Sequence, residues 1–381
     1  MARPTPEEMA RLSEVIGLAY GKLDLQLIIR LVTRLVIGPP PLPANAEQWR
    51  IEKLLQAGQW RNEVVELMQQ ALGKVPSQVD RILYETAIKA TQLADTAILD
   101  KAMQQGIIHS TGLSPARTTY MVSKLKEQAL DQLNLVNTSM IKSAEQAYYD
   151  VLNQAAGALN SSDISLAKAI TTATRELQNK GFRGFVDRRG RRWNTQSAVE
   201  MIMRTNVNSV ATQAAFSSMD DMGADLIITS SHLGARPKCF LDQGQIFDRR
   251  NIATETTDAH GQVLPVRPWA DSSFGEPDGM LGINCRHHIG VFIPGMSENL
   301  QKEYDFSEND KYYQAEQKQR GFERQIRNNK MKAEVAQVSG DYDAQNAAKQ
   351  RVRQSQANLR AFLKETGLPR SRAREQIAIV E

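Results

Sequence analysis

The sequence predicts a mainly α-helical protein with a central α+β domain, an elongated helical region before that domain and a helical tail after it. Three observations lead to this fold class. Aromatic residues make up only 6% of the 381 residues. Apolar side chains recur at steps of three and four over most of the chain, as on one face of a helix. Patterns typical of strands and glycine turns are confined to residues 181–296. Because one core rarely serves so long a chain, we expect two or three units.

The first 180 residues form the predicted helical region, an arm that contacts other proteins. Apolar residues at helical spacing predict a first helix over residues 7–37, which ends at the run Gly38-Pro39-Pro40-Pro41 because proline lacks a backbone donor. Candidate capping residues or a first-turn proline predict the later helices, which begin after Asn45, at Ser77, at Pro115 and at Ser162, and end near Gly73, Gln105, Leu159 and Lys180.

The pattern changes at Gly181, where the compact α+β domain of residues 181–296 is predicted to begin. Residues 185–193 predict a strand, a glycine turn and a second strand. Thr195 is the predicted N-cap of a helix that ends at Gly223. Further short strands are predicted over residues 226–231, 245–247, 263–266 and 289–293. Together these elements indicate a small antiparallel sheet packed with helices.

Residues 297–381 return to a polar helical pattern, with helices predicted over residues 311–338 and 341–366. Residues 301–381 contain 16 basic and 12 acidic residues, and this excess of four equals the formal net charge of the whole chain. Interleaved charges of both signs favour a solvated surface, with packaged DNA or an acidic protein as the alternative partner.

Two further features limit the possible function classes. The most apolar stretch, Leu23 to Ile37, contains Asp24, Arg30 and Arg34, so no membrane span is predicted. Its broad apolar face is either core or a docking surface for another protein. The sequence has no P-loop, GxSxG, HExxH or paired CxxC motif, which counts against the familiar enzyme classes.

Four residues of the middle segment have side chains that bind zinc: His232, Cys239, Cys285 and His287. Thiolates and imidazoles at tetrahedral geometry would hold together a region rich in loops. Their spacing differs from that of paired zinc ligands, so the alternative is a small core in which the four residues pack and form hydrogen bonds. A disulfide between the two cysteines is disfavoured by a reducing cytosol, although it could form in a released particle.

Three other residues have open roles. Arg204 and Thr205 lie in the middle of a predicted helix, where a buried arginine can hold neighbouring loops through its planar guanidinium group. The catalytic alternative pairs Arg204 with His232 on a phosphodiester, but no nucleophile accompanies them. Trp193 follows the arginine run 188–192, and we interpret it as an anchor of the hairpin to the core. The arginines themselves are candidates for nucleic-acid contact.

Four blocks of the chain resemble a known family. In order and spacing, GFVDRRGRRWN, MIMRTNVN, ITSSHLGARPKCFLDQGQIF and GINCRHHIGVFIPG resemble the phage minor capsid protein 2 family, which is akin to the head-morphogenesis minor proteins of Mu-type and other tailed phages. The most specific part is the pair SSHLGARPKC and GINCRHH, which also contains Arg236 and His288. The tail segments YYQAEQKQRGFERQIRNNK and AKQRVRQSQANLRAFLKETGLPRS are similar too.

The resemblance implies a structural minor protein of the phage head, made in the host cytoplasm and located in the virion near the portal vertex. It implies the portal protein, the major capsid protein or both as partners, with several copies around the portal, possible contact with packaged DNA and no membrane. Related domains carry a Cys/His cluster that resembles a zinc site, whereas this chain has only two cysteines. Because the resemblance is to a structural family, we expect no enzyme activity.

Two alternatives come from other function classes. One is a nuclease or ADP-ribosyl transferase-like enzyme in residues 181–296, with Arg204, His232 and His287 as its residues. The other is a DNA-binding packaging accessory that acts through residues 301–381 and whose affinity falls steeply with salt.

Overall fold

The computed structural model describes residues 6–38, 41, 43–92, 94, 96–112, 115–161, 164–180, 182–186 and 192–377. In this part of the chain the α-helices are α1 (Pro6–Val36), α2 (Ala46–Leu54), α3 (Ala57–Leu72), α4 (Val75–Ala90), α5 (Thr96–Gln104), α6 (Pro115–Ser161), α7 (Leu166–Ala173), α8 (Arg175–Lys180), α9 (Thr195–Met222), α10 (Pro237–Asp242), α11 (Phe306–Ser339) and α12 (Tyr342–Thr366). None of these helices combines the length and the apolar character needed to cross a bilayer.

The strands form three small sheets within the described residues. The strands are β1 (Arg183–Val186), β2 (Arg192–Asn194), β3 (Leu226–Thr229), β4 (Ile246–Asp248), β5 (Glu255–Thr257), β6 (Val263–Pro265), β7 (Arg267–Pro268) and β8 (Ile289–Val291). The largest sheet has the order β7-β4-β3-β8, while β1–β2 and β5–β6 are antiparallel pairs. The predicted fold class, mainly helical with a small sheet domain, is therefore confirmed.

The largest sheet is mixed, whereas a purely antiparallel sheet was expected. β3 pairs antiparallel with both β4 and β8, but β7 pairs parallel with β4. The sequence did not indicate β7 because this strand has two residues and one of them is a proline, which cannot donate to a ladder.

The chain divides into two compact units, each built from distant segments. Unit 1 comprises Met1–Ile16, Val75–Asp131 and Glu200–Gln314, and unit 2 comprises Gly17–Lys74, Gln132–Val199 and Ala315–Glu381. The division into an arm of residues 1–180, a domain of residues 181–296 and a tail of residues 297–381 describes roles along the sequence and stays a prediction.

The core of unit 1 lies between one face of the mixed sheet and α9. It includes Met219 and Met222 of α9 together with Ile227, Phe247 and Val291 of the sheet, all of them buried. α9 ends as expected at Gly223, which has a φ of +72° and follows the last helical turn. Cys239 and Cys285 belong to the same core cluster, so the candidate zinc ligands lie inside unit 1 rather than on its surface.

The core of unit 2 contains a polar network around two buried aromatic rings. The rings of Trp60 and Tyr148 stack with their centroids 6.0 Å apart. The indole Nε1 donates to the carbonyl of Ala144 at 2.9 Å, and the Tyr148 hydroxyl donates to the carbonyl of Lys53 at 2.8 Å. Both ring systems therefore bury their apolar surface without leaving a polar atom unpaired.

The helix predicted over residues 46–73 is interrupted between Leu54 and Ala57. Lys53 lies next to this break; it is buried and donates from Nζ to the carbonyls of Arg34 and Ile37, both at 2.8 Å. These carbonyls lie at the C-terminal end of α1, where a cation is favourable. Burial lowers the pKa of Lys53. The break thus coincides with tertiary contacts of Lys53 that helical periodicity does not reveal.

Several predicted caps were wrong. Asn45 makes no capping hydrogen bond with its side chain, and α4 begins at Val75, two residues before Ser77. The oxygen of Asn194 accepts from the backbone of Ser197 in the capping position, while the Thr195 hydroxyl donates to the carbonyl of Phe182.

Two other expectations about helix ends had different outcomes. Ser162 lies outside the described residues, and Ser165 caps α7 instead. The predicted start of the last helix is confirmed, because Asp341 accepts from Ala344 at 3.1 Å and so caps α12. Pro115 begins α6 as expected.

We predict that the buried carboxyl group of Asp24 makes the stability of unit 2 depend on pH. Asp24 is 2% exposed, and burial raises its pKa to about 7, although its Oδ1 accepts from the backbone of Phe182 at 2.9 Å. The folded pKa exceeds the unfolded pKa, so the stabilisation is complete below about pH 4 and is lost as the pH rises through about 7.

Asp24→Asn should therefore increase the free energy of unfolding relative to wild type by a few kcal/mol at pH 8 and by much less at pH 4. Urea unfolding at several pH values measures this difference. The exposed Asp131→Asn serves as the matched control and should show no such pH dependence. A constant difference between Asp24→Asn and wild type across this range would contradict the prediction.

Candidate functional site

The structure distributes the predicted site residues over both units. His232, Arg236, Cys239, Cys285, His287, His288, Arg204 and Thr205 belong to unit 1. Trp193 belongs to unit 2, where it is half-buried in β2 opposite Phe185 and lines a groove beside Phe182. Of the arginine run, residues 188–191 lie outside the described residues, while Arg192 is the first residue of β2.

Three of the four predicted zinc ligands come together. Cys239 lies on the short helix α10, while Cys285 and His287 lie in the loop that leads into β8. The two Sγ atoms are 4.0 Å apart, and the Cys285 Sγ lies 3.4 Å from Nδ1 of His287. All three side chains are buried, and their ligand atoms lie within 4.8 Å of one another. We call these three residues the cysteine cluster.

Gln243 orients the His287 ring of the cysteine cluster, and the sequence did not indicate this role. Its Oε1 accepts from the backbone N–H of His232 at 3.1 Å and lies 3.1 Å from Nε2 of His287. An amide oxygen only accepts, so Nε2 of His287 carries the proton and Nδ1 presents a lone pair to Cys285. A histidine held by a second hydrogen bond in this way is typical of metal ligands.

His232 lies against the cysteine cluster but outside it. Its ring stacks on that of His287 with the centroids 4.3 Å apart. Its Nδ1 donates to the carbonyl of Leu233 at 3.1 Å, so Nε2 carries a lone pair, and this buried atom has no hydrogen-bond partner within the described residues. Burial, and then the neighbouring His287, lowers the pKa of His232 to about 4, so its ring is neutral near pH 7.

A hydrogen bond between the two cysteine side chains moves their pKa values in opposite directions. The hydrogen bond between the two sulfur atoms lowers the pKa of Cys285 well below its ordinary value. The same hydrogen bond, together with burial, raises the pKa of Cys239. The Cys285 sulfur also accepts from the backbone N–H of Leu281 at 3.2 Å. The directions of these two shifts make Cys285 the more acidic of the two thiols.

Arg236 ties α10 to the loop before Cys285. Its guanidinium group donates to the carbonyls of Ile283 at 2.9 Å and Gly279 at 3.2 Å, and it lies 3.7 Å from the Cys239 sulfur. The planar fork of donors thus joins two segments that are about 40 residues apart in sequence. Arg236 performs the role that the sequence suggested for Arg204.

Arg204 contacts the loop before Cys285, whereas Thr205 forms its hydrogen bond within α9. Arg204 donates from Nη1 to the Oδ1 of Asn284 at 3.2 Å, and one turn later Asn208 donates to the carbonyl of Leu281 at 3.2 Å. Thr205 donates to the carbonyl of Met201 within α9. α9 therefore supports the loop through two polar residues on one face.

The loop before Cys285 contains left-handed backbone conformations and a close approach of two backbone segments. Leu281 and Asn284 have positive φ angles of +58° and +59°. A Cβ atom at Gly282 would lie 2.5 Å from the carbonyl oxygen of Glu276, so a side chain does not fit there. The glycine of the GINCRHH motif is thus explained by a close approach of two backbone segments.

Two further contacts attach the motif loops to their surroundings. Asn309 of α11 pairs with both backbone groups of Ala235, accepting at 2.9 Å and donating at 2.8 Å. His288 donates from its backbone to the Ser230 hydroxyl and accepts from the Ser230 backbone, which extends the pairing of β3 with β8. Buried amides such as Asn309 and Gln243 carry no spacing signal, so sequence reasoning missed them.

The geometry fits a tetrahedral metal better than acid–base catalysis. A zinc ion with ordinary bond lengths separates two thiolates by about 3.8 Å and a thiolate from an imidazole nitrogen by about 3.6 Å. The observed separations are 4.0 and 3.4 Å. In contrast, His287 is 1% exposed and does not reach a substrate, and the lowered pKa of His232 keeps that ring neutral near pH 7.

Comparison with known proteins agrees with the resemblance of the motifs. Residues 5–364 match the family model described as phage minor capsid protein 2. A structural protein of Lactococcus phage LL-H is 25% identical over 329 residues, which are 84% of this chain and 85% of that protein. A structural protein of Lactococcus phage mv4 is 34% identical over 109 residues, 28% of this chain and 89% of that protein. No solved structure matches this chain.

We predict that Gln243→Ala destabilises unit 1 by about 1–3 kcal/mol, because it leaves two buried donors, the backbone of His232 and Nε2 of His287, without their acceptor. Denaturant unfolding measures this loss. Gln350→Ala changes an exposed residue of α12 and should alter stability by less than about 0.5 kcal/mol. Equal stability of the two variants would show that Gln243 does not hold the cluster.

Proposed function

Because the chain belongs to the phage minor capsid protein 2 family, we propose that it is a structural component of the phage head that associates with the portal vertex during assembly. The match over residues 5–364 carries this proposal, since it includes the helices as well as the motif loops. Both relatives are structural proteins of Lactococcus phages, which supports a place in the virion.

The proposed role is structural, and the cysteine cluster stabilises the loops of unit 1. Its members are buried, and the hydrogen bonds of Gln243 and Arg236 are directed inward to backbone and sulfur atoms. These features favour a stabilising centre over the nuclease or ADP-ribosyl transferase alternative, which needs Arg204, His232 and His287 to face a substrate.

We also propose that the cysteine cluster binds zinc. Cys239, Cys285 and His287 would be ligands, and the buried, unpartnered Nε2 of His232 makes this residue the candidate for the fourth. A bound ion would neutralise the buried thiolate charge and link α10 to the loop before β8.

Metal analysis of the purified protein tests the zinc proposal. We expect about one zinc per chain in the wild type and none in Cys285→Ser, because a structural site loses its ion with a thiolate ligand. His260→Ala is the matched control, since His260 is an exposed histidine paired with Glu298 in the same segment, and it should retain the ion. Wild-type protein without metal, purified in the absence of chelator, would contradict the proposal.

We propose that the N-terminal helices contact the portal protein or the major capsid protein through three exposed apolar residues near the ends of α1 and α2, Ile37, Ile51 and Leu55, which we call the apolar corner. These side chains are 65%, 50% and 81% exposed, and they lie where α1 and α2 end. Lys53 joins the two ends through the carbonyl of Ile37. Large apolar side chains grouped on a surface are typical of protein interfaces.

Point variants test this interface, because a deletion of residues 1–180 would remove segments from both units. We expect replacement of Ile37, Ile51 and Leu55 by serine to abolish co-purification with the portal protein of the same phage. Replacement of three exposed apolar residues of unit 1, Leu241, Ile252 and Val263, should leave it intact. Retention of the portal by both variants, or its loss only from the second, would refute the proposed corner.

A further inference from the structure

The last long helix, α12, has an unusual distribution of charge. Its residues from Ala344 to Lys364 include five basic residues and no acidic residue, over 21 positions. All of the acids of the tail lie outside this stretch, and two of them, Asp343 and Glu365, are at the ends of α12. The positive charge of the tail is therefore concentrated on one segment rather than interleaved along its whole length.

Four of the five basic residues form a line along the helix. With 3.6 residues per turn, Lys349, Arg353, Arg360 and Lys364 lie within an arc of about 60° and extend over about 22 Å. All four are exposed. The buried residues of α12 are Gln345, Ala348, Ser355 and Leu359, which lie on a different face. We call the four cations the basic stripe.

The charges of the basic stripe are not compensated within the protein. None of the four forms an ion pair with any residue in the part of the chain that the structure describes. Other exposed cations do, such as Arg61 with Glu145. The pairs Lys349–Arg353 and Arg360–Lys364 are each four residues apart, and like charges at this spacing destabilise a helix by about 0.2–0.5 kcal/mol.

We propose that the basic stripe binds the phosphate backbone of double-stranded DNA, a partner that the proposed location in the phage head would supply. This inference rests on the proposed function. Along one DNA strand a phosphate recurs about every 3.4 Å, so a stripe of about 22 Å faces several phosphates at once. Lysine and arginine contacts to phosphates position a protein without reading sequence.

Within residues 349–364 the basic stripe offers no exposed aromatic ring, which favours duplex over single-stranded nucleic acid; the exposed Tyr342 lies about two turns before Lys349. Single strands are held by aromatic rings on which bases stack. Between Lys349 and Lys364 the one aromatic residue is Phe362, and its ring packs against Phe322 and lies beneath the Lys318 ammonium group. The flanking Gln350 is exposed and polar and can donate a hydrogen bond to phosphate.

The full-length protein and a fluorescent duplex of random sequence test the proposal by anisotropy over a range of salt concentrations. Four phosphate contacts give a slope of about −3.6 for log K against log salt. The variant K349Q/R353Q/R360Q/K364Q should bind at least roughly tenfold more weakly and show a clearly shallower slope. The charge-preserving variant K349R/R353K/R360K/K364R should bind as the wild type does.

A matched control separates the stripe from the net charge of the chain. The variant K22Q/R81Q/K101Q/K168Q removes the same four charges from exposed residues outside the tail and should bind like the wild type. Equal weakening by both glutamine variants, or by neither, would overturn the proposal. So would tighter binding of single-stranded DNA or RNA than of duplex.

Failure of this inference can be told apart from failure of the proposed function. The stripe variant should still co-purify with the portal protein, because the apolar corner of Ile37, Ile51 and Leu55 is unchanged. Loss of DNA binding with retained portal supports the stripe as the DNA contact. A wild-type protein that binds the portal but no duplex overturns the stripe alone, whereas one that binds duplex but no portal leaves the stripe standing and refutes the portal proposal.

Discussion

One amide oxygen, Oε1 of Gln243, determines how the cysteine cluster is arranged. It accepts from the backbone of His232 and from Nε2 of His287, and so joins the loop after β3, the end of α10 and the loop before β8. Because Nε2 of His287 keeps the proton, its Nδ1 lone pair points to Cys285. The same hydrogen bonds hold the His232 and His287 segments together, and the two rings stack with their centroids 4.3 Å apart.

The sequence predicted the elements whose cause is local and missed those whose cause is tertiary. Local sequence signals gave α1, α6, α9 and α12 within a few residues, because helical spacing, a first-turn proline, a cap or a terminal glycine lies within or beside each helix. The same pattern missed the break after Leu54, where Lys53 makes tertiary contacts with the end of α1. It missed β7 because pairing with β4 defines that strand.

The candidate site shows the same division. Cysteine and histidine types were enough to predict the cluster, and three of the four predicted ligands meet within 4.8 Å. The sequence suggested that Arg204 holds a loop, but it did not indicate that Arg236 and Gln243 also join loops. Hydrogen-bonding partners across loops leave no spacing pattern in a sequence. The structure thus gives the most specific motif of the chain an inward role, since its polar atoms are directed to one another.

The polar groups of the motif bond to one another inside unit 1. Contacts with other molecules therefore have to come from exposed residues that do not stabilise the fold. Two groups meet this condition: the apolar corner of α1 and α2, and the basic stripe of α12. The corner leaves apolar area in water, and the stripe places like charges four residues apart, so each opposes the stability of the isolated chain. Screening by salt weakens the repulsion but does not turn it into an attraction. A partner that covers the corner, and a polyanion that lies along the stripe, would each convert an unfavourable feature of the free protein into binding free energy.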